Sequence, residues 1–425
     1  MNVWQLLTDR KFSRLLRVRW TGQMTDGIFQ SALASFVLFS PERQANALNA
    51  ALAFAVVLLP YSIIGPFVGT ILDRISRQRA IAYSNLVRAA TLCLVALLIF
   101  QGRTGVELTV FILIAFGVNR LILAGLSAGI PLMIESKSLI SANALAVTGG
   151  SVWVVLGGGI GLGLRRLING VATADHADGY IILAGAVGYL LAAFFASTLK
   201  KREIGPLDHE IKSASFSQGL IEMREGVKFL RQHIDAARGI AAVAVHRGGI
   251  TALTLIALLL ERNTFNDPAD SEAGLAGLSF TLSLAACGFV VGAVIAPYGV
   301  RKIGRHRWMR LSLVASTGGP LCILFVRTPI TLALAAIITA LFGQSLKVTN
   351  DALVQSKIDD IYRGRVFSVY DVVVNGAIVS GAVIAALLLP NTGDSFVVPL
   401  VVALVYLTAG LRLLRGRVFF APPVK

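Results

Sequence analysis

Cysteine is scarce in this chain of 425 residues, which has only Cys93, Cys287 and Cys322. They lie in separate apolar stretches without paired spacing, so the sequence predicts neither a disulfide framework nor a cysteine metal site. Charged residues are also few, at 15% of the chain, against 55% hydrophobic residues and a mean hydropathy of +0.74. A soluble domain of this length needs more charge on its surface, so the composition excludes a soluble protein.

Sequence patterns typical of pumps and enzymes are also missing. No Gly-Lys-Ser/Thr step follows a glycine-rich segment, which argues against an ATP-driven pump. No carboxylate pair, His-Cys cluster or nucleophile–base arrangement emerges, so we expect no enzyme and no cofactor. His246 has no second ligand at helical spacing, so we expect no metal site there. The first 16 residues lack a continuous apolar core and a small-residue cleavage site, which argues against a cleaved signal peptide.

The chain contains long apolar stretches instead. A helix rises about 1.5 Å per residue, so roughly 20 apolar residues cross a hydrocarbon core about 30 Å thick. Twelve stretches of this length predict membrane spans, which must be helices because backbone polar groups in lipid are satisfied within the segment. The alternating ten-residue strands of a barrel are not seen. The predicted spans are 18–39, 46–68, 80–100, 107–131, 142–164, 179–199, 239–260, 274–297, 308–327, 329–349, 367–389 and 396–414.

Basic residues are distributed unequally between the two sides of the predicted topology. With both termini in the cytoplasm, 29 of the 39 Lys and Arg residues lie on the cytoplasmic side and six lie on the other. This is the positive-inside bias of membrane proteins. It explains the net charge of +16 by topology and contact with anionic lipids, so we expect no nucleic-acid partner.

The longest connector divides the chain into two sets of six spans. Within it, apolar residues from Leu220 to Leu230 recur at helical spacing, which predicts an amphipathic helix under the membrane. The fold class we predict is an all-α membrane protein with twelve transmembrane helices in two pseudo-symmetric six-helix bundles. The predicted parts are a cytoplasmic arm at 1–17, a bundle at 18–199, a linker at 200–238, a bundle at 239–414 and a cytoplasmic tail at 415–425.

A basic motif follows the second span and recurs in degenerate form after the eighth. The first copy resembles the loop signature of the major facilitator superfamily, G-x-x-x-D-R-x-G-R-[KR], with a serine in place of the second glycine. A further segment before the eleventh span, Tyr362–Ser368, resembles its counterpart in a bacterial branch of drug- and metabolite-exporter-like members. The first copy contains Gly69, Asp73, Arg74, Ser76 and Arg77, and the second contains Arg301, Lys302, Gly304 and Arg305.

The resemblance implies a secondary active transporter that works by alternating access. In the family this loop holds the two halves in one state, and we assign that role to Gly69, Asp73, Arg74 and Arg77. Asp371 is the expected partner of the two arginines. The resemblance further implies a monomeric, multi-pass protein of the plasma membrane, and the bias of basic residues predicts that both termini are cytoplasmic.

Charged residues inside the predicted spans are candidates for function, since each costs roughly 2.5–3.5 kcal/mol at a helix centre. Asp26 lies about eight residues into the first span, and His246 and Arg247 lie equally deep in the seventh. An acid and a base there can pair in one state and separate in another, so protonation of Asp26 would couple a proton to the change of state. His246 would add a second titrating group. A static pair that only orients the helices is the alternative.

Two further features of the spans have both functional and structural explanations. Arg120 resembles the arginine of an antiporter motif in the fourth span, where it would hold an anionic substrate or pair with backbone carbonyls. The glycine-rich fifth span, from Gly149 to Gly163, resembles the corresponding antiporter segment without its Gly-Pro step. Its glycines suit either a gating hinge or close helix packing.

The resemblance to exporter-like members implies export of a small amphipathic molecule, and Asp26 together with that resemblance implies coupling to protons. The expected partners are that small-molecule substrate, protons and membrane lipids. The alternative from another class is a lipid-handling or ligand-sensing membrane protein on a transporter scaffold, without drug efflux.

Overall fold

The computed structural model describes residues 3–38, 75–103, 105–135, 138–168, 174–205, 216–268, 270–358 and 360–414. These residues form fifteen helices, and no strand occurs within the described ranges. The helices of the N-terminal half are α1 (Val3–Thr8), α2 (Arg10–Leu38), α3 (Arg77–Phe100), α4 (Val106–Met133), α5 (Leu139–Ile168), α6 (Ala174–Ser197) and α7 (Lys201–Ile204). The later helices are α8 (Phe216–Gln232), α9 (Ile234–Asn263), α10 (Ser271–Ile303), α11 (Arg305–Ala315), α12 (Gly318–Cys322), α13 (Pro329–Lys357), α14 (Asp360–Leu388) and α15 (Val397–Arg412).

Eleven of the twelve predicted spans fall on these helices, and the second, 46–68, lies outside the described residues. Eight of the described helices are long and apolar enough to cross a bilayer, and α15 is a shorter apolar helix. Helix α8 covers the linker segment for which the sequence predicts an amphipathic helix. The all-α prediction therefore holds over the part of the chain that the structure describes.

The first long helix starts earlier than its apolar stretch. Helix α2 begins at Arg10, within the predicted arm, because Asp9 caps its N-terminus. The Asp9 carboxylate accepts from the backbone N–H groups of Lys11 at 3.0 Å and Phe12 at 2.8 Å. Such a cap satisfies donors that a helix start otherwise leaves unpaired.

The predicted ninth span, 308–327, is not one continuous helix. It is divided into α11 and α12 at Ser316 and Thr317. Pro320 has no N–H to donate to the carbonyl of Ser316, which instead accepts from Gly319 at 3.1 Å. A proline next to two glycines is invisible to a hydropathy pattern, which explains why apolar length alone predicts an uninterrupted helix.

The described residues form two compact units that divide between Leu220 and Ile221. In the first unit, α2 packs against α5 and α6, and α3 packs against α4 and α6. In the second unit, α9 packs against α13 and α14, and α10 packs against α13. The first long helix of each unit is thus packed among later helices, which places its central polar residues in the interior.

Candidate functional site

The carboxylate of Asp26 is buried at the middle of α2 and is held by side chains from three other helices. It forms an ion pair with Arg88 of α3. The hydroxyl of Tyr189 on α6 donates to one carboxylate oxygen at 2.7 Å, and the amide of Asn119 on α4 donates to the other at 3.3 Å. Asp26 is only 4% exposed, so these partners replace the water that an isolated carboxylate would need.

Arg88 completes a closed network with the same partners. It donates to the amide oxygen of Asn119 at 3.2 Å and to the hydroxyl of Tyr189. Its guanidinium carbon lies 3.9 Å from the centroid of the Tyr189 ring, a cation–π contact. Arg88 is 1% exposed, so its charge depends on Asp26 for compensation. The network connects four helices of the first unit through one acid.

Sequence reasoning identified the acid of this network but not its partners. The sequence gives Arg88 no role, because an arginine in an apolar span does not indicate which acid it faces. Asn119 and Tyr189 are neutral and lie in spans four and six, so no charge pattern marks them. The described contacts of Asp26 come from α3, α4 and α6, and its pairing with Arg247 stays a prediction.

Glycines bring the first long helix of each unit into backbone contact with a later helix. A Cβ at Gly27 of α2 would overlap the carbonyl oxygen of Val154 on α5, and one at Gly157 would overlap that of Met24. In the second unit, a Cβ at Gly381 of α14 would overlap the backbone of Gly248 on α9. Close packing therefore accounts for Gly157 of the fifth span, whereas a Cβ at Gly159 or Gly163 would meet no heavy atom within 4 Å.

The glycine contacts also give the register of the two halves. Gly27 and Gly248 occupy the same place in their units, each at the approach of the first long helix to a later one. The residue before each glycine is then Asp26 in one unit and Arg247 in the other. Equal depth in the sequence predicts this correspondence, and the glycine contacts support it.

His246 is enclosed by its neighbours in the second unit. Its ring stacks on Tyr406 with centroids 5.1 Å apart, and its Nε2 lies 3.1 Å from the carbonyl oxygen of Thr339. Since a carbonyl only accepts, Nε2 carries a proton in this contact. Tyr406 in turn donates to the backbone carbonyl of His246 at 2.8 Å. The imidazole therefore helps to pack α9 against α13 and α15.

Arg247 is half-buried and differs from its neighbour in its contacts. It donates to the amide oxygen of Gln344 on α13 at 3.2 Å. Its guanidinium carbon lies 5.3 Å from the ring centroid of Phe289 on α10. Lys347 lies one turn beyond Gln344 on α13, and it forms an ion pair with Asp351, a further turn along, at 2.6 Å. Among the described residues, no carboxylate lies within ion-pair distance of Arg247.

The other predicted site residues occupy separate positions. Arg120 follows Asn119 on α4 and is half-buried, and Asp371 is half-buried on α14. Gly69, Asp73 and Arg74 lie outside the described residues. The latch role assigned to the loop and to Asp371 stays a prediction.

Arg77, at the start of α3, binds the end of the fourth span and the beginning of the linker. Its side chain donates to the carbonyl oxygens of Ala128 at 3.3 Å and Ile204 at 3.1 Å. Its backbone N–H donates to the carbonyl of Gly205 at 3.0 Å. One residue of the loop motif therefore fastens the first linker residues to the first unit.

We expect Arg77→Ala to loosen this attachment. Two carbonyls lose a cationic donor, and we expect hydrogen–deuterium exchange over residues 201–205 to become faster by about an order of magnitude. Arg79→Ala is the matched control, since Arg79 is exposed and lies only two residues further along the same helix. Equal exchange in native protein and Arg77→Ala would show that the contact does not hold the linker.

In the second copy of the motif, the arginine again binds the fourth span of its half, but the backbone before it has a different conformation. Arg305 donates to the hydroxyl of Ser356 at 2.6 Å, on the last turn of α13, the fourth span of its half. Gly304 has φ +85° and ψ 154°, which only glycine adopts without strain, whereas Ser76 in the first copy has φ −49°. The serine that departs from the family signature therefore sits in an ordinary backbone conformation.

Burial governs the titration of His306, which follows Arg305. It lowers the pKa of this imidazole below its ordinary value of 6.5. The nearby carboxylate of Asp235 opposes this shift, and the charges of Arg305 and Lys357 reinforce it. His306 is therefore neutral at pH 7, and Arg301, Lys302 and Arg305 supply the positive charge of the second copy.

Comparison with known proteins places these features in a family. No family model matches the chain. The sequence is 29% identical over 414 residues to a protein of Mycobacterium tuberculosis named as an uncharacterized MFS-type transporter, covering 97% of this chain and 92% of that protein. Over nearly its whole length the chain is similar to members of the major facilitator superfamily. The present chain is also 21% identical over 388 residues to macrolide efflux protein A of Streptococcus pyogenes, covering 88% of this chain and 89% of that protein.

Solved structures confirm the fold of the transporter. It matches a mutant of the nucleoside transporter NupG with a TM-score of 0.70 and 14% identity, over 94% of this chain and 98% of that one. It matches a D-xylose-proton symporter with a TM-score of 0.68 and 12% identity, over 95% and 97% of the two chains. The predicted twelve-helix, two-bundle fold is therefore confirmed. The chain is a multi-pass membrane protein and a secondary transporter, not an enzyme.

Proposed function

We propose that this transporter exports a small amphipathic molecule in exchange for protons, with Asp26 as the proton-accepting group. The observation that carries the proposal is the Asp26 network, in which one buried carboxylate connects α2 to α3, α4 and α6. A carboxylate inside a membrane-spanning helix is costly and is retained chiefly where it serves transport.

Protonation of Asp26 changes the forces in this network. The ionised carboxylate compensates the charge of Arg88 and accepts from Asn119 and Tyr189. A protonated carboxyl is neutral, so the ion pair is lost and one oxygen becomes a donor. The contacts that hold α2 against α3, α4 and α6 are then weaker. A proton entering or leaving thereby favours one arrangement of these helices over another.

Export and location rest on separate support. The similarity to macrolide efflux protein A, at 21% identity, favours export and an amphipathic substrate. The excess of basic residues in alternate connectors favours an orientation with both termini in the cytoplasm, and the similarity to an efflux protein favours the plasma membrane. The basic loop with Arg77, together with Asp371, is proposed to hold one state of the transport cycle.

Everted membrane vesicles that contain the transporter provide the test. A preset pH gradient, interior acidic, is formed, and cationic, neutral and anionic amphiphiles are added one at a time. We expect the substrate to accumulate inside and to dissipate the gradient. Nigericin, which removes the pH gradient, should stop uptake, whereas valinomycin with potassium, which removes the electrical potential, should leave most of it. Vesicles without the protein give the background.

Two results would contradict the proposal. Uptake that continues in the presence of nigericin would exclude proton exchange. Vesicles preloaded with the compound provide the converse test, and gradient-driven release in place of uptake would indicate import into the cell. If no compound moves although the protein is inserted, the lipid-handling or sensing alternative becomes the better explanation.

A further inference from the structure

Among the described residues of the second unit, Arg247 forms no ion pair, although Asp351 is close enough to attract it. Its contacts are neutral, with the amide oxygen of Gln344 at 3.2 Å and the ring of Phe289 at 5.3 Å. The nearby charged pair, Lys347 with Asp351, compensates itself at 2.6 Å. The group formed by Arg247, Lys347 and Asp351 therefore has one net positive charge.

This charge lies deep in the membrane-spanning part of the chain. Arg247 is the fourteenth residue of the 30-residue helix α9, and it is half-buried rather than enclosed. Ionisable side chains at this depth face the bundle interior or a water-filled path, not lipid. An uncompensated cation in such a place is costly, so its retention points to a transient anionic partner.

Two buried arginines of the first unit are compensated by acids of the same unit. Asp26 compensates Arg88, and Asp178 compensates Arg165 at 3.0 Å. Asp26 and Arg247 can be compared directly, because the glycines that follow them, Gly27 and Gly248, occupy corresponding places in the two units. Asp26 has a buried cation as its ion-pair partner, whereas Arg247 forms an ion pair with no acid among the residues that the structure describes.

We propose that Arg247, Gln344 and Phe289 form the binding site for the anionic group of an organic anion, a soluble amphiphile that carries a carboxylate, sulfonate or phosphate. This proposal deepens and rests on the proposed function, since it names the class of molecule transported. The planar guanidinium donates to two oxygens of the anion, as arginine does to carboxylates and phosphates. The amide nitrogen of Gln344 adds a donor, and the ring of Phe289 contacts the apolar body of the ligand.

The test uses two dyes that share a xanthene ring system and differ in charge. Binding of fluorescein, an anion, and rhodamine 123, a cation, to the purified full chain is followed by fluorescence polarisation. We expect native protein to prefer fluorescein. We expect Arg247→Gln to weaken fluorescein binding by about 10- to 100-fold, the effect of losing charge-assisted hydrogen bonds, without weakening rhodamine 123 binding.

Three variants keep the result interpretable. Arg103→Gln removes the same charge from an exposed surface pair with Glu107, so it should leave both affinities unchanged. Arg247→Lys keeps the charge but loses the bidentate geometry, so it should retain part of the affinity. Gln344→Ala removes only a neutral partner, and a several-fold loss of fluorescein binding is expected even if Arg247→Gln fails to fold.

Preference of the native protein for rhodamine 123, or fluorescein binding that is equal in native protein and Arg247→Gln, would overturn the proposal. Binding is measured at equilibrium without a proton gradient, so it is independent of coupling. If proton exchange fails in vesicles, fluorescein binding can still succeed. If the anion preference fails, proton-driven transport of other compounds is unaffected.

Discussion

Replacing Asp26 by asparagine is expected to abolish proton-driven transport and to destabilise the protein. Asparagine keeps the size of the side chain but cannot carry a negative charge, so Arg88 becomes a buried cation without compensation. Breaking a buried pair in this way costs about 3–5 kcal/mol. Uptake into everted vesicles should fall to background at every pH between about 6 and 8. Thermal unfolding of the purified protein should occur at a markedly lower temperature.

Loss of stability alone could cause the same loss of transport, and the first unit contains a control for this. Asp178→Asn breaks a second buried ion pair, with Arg165 at 3.0 Å, near the start of α6. We expect a similar drop in melting temperature but transport that still depends on the pH gradient. The double variant Asp26→Asn with Arg88→Gln removes both charges, so it should regain much of the stability without regaining transport.

The proton-coupling role of Asp26 would be rejected by one clear result. That result is vesicle uptake by Asp26→Asn that still responds to nigericin and to pH as the native protein does. Asp26 would then be one half of a static pair that orients α2 against α3.

Substitution of Gly157 by alanine is expected to disrupt the first unit. A Cβ at this position would overlap the carbonyl oxygen of Met24, and backbone on one of the two helices would have to move. Forcing an extra methyl group into a close-packed contact typically costs about 1–3 kcal/mol, and rigid backbone on both sides favours the upper end. We expect less protein in the membrane and a lower melting temperature. The measurement is thermal unfolding together with the amount of membrane-inserted protein.

Gly159→Ala is the matched control, two residues further along the same helix. No heavy atom lies within 4 Å of a Cβ built there. Alanine is a better helix former than glycine by roughly 0.5–1 kcal/mol, so this variant should be as stable as native protein or slightly more stable. If both alanine variants unfold at the native temperature, the close approach of α5 to α2 does not limit stability.

The sequence predicts the fold of this protein well because its signals are local. The predicted span 80–100 corresponds to α3, and the predicted span 239–260 lies within α9. Apolar length and the requirement to satisfy backbone groups in lipid act within each segment, so no knowledge of neighbouring segments is needed. The hydropathy pattern does not predict the break between α11 and α12, since this break depends on the chemistry of a single residue, Pro320.

The same distinction between local and tertiary information applies to the candidate site. The sequence by itself determined which charges stand in the membrane, Asp26 and Arg247 among them, because a charged residue in an apolar run is visible without a structure. Only the tertiary structure decided their partners. Arg88 and Tyr189 lie 62 and 163 residues from Asp26 along the chain, and helix packing alone brings them to one carboxylate. Packing also decides that the neighbours of Arg247 are the neutral side chains Gln344 and Phe289. The sequence could not predict these neighbours, because periodicity indicates which face of a helix is buried but not which helix lies against that face.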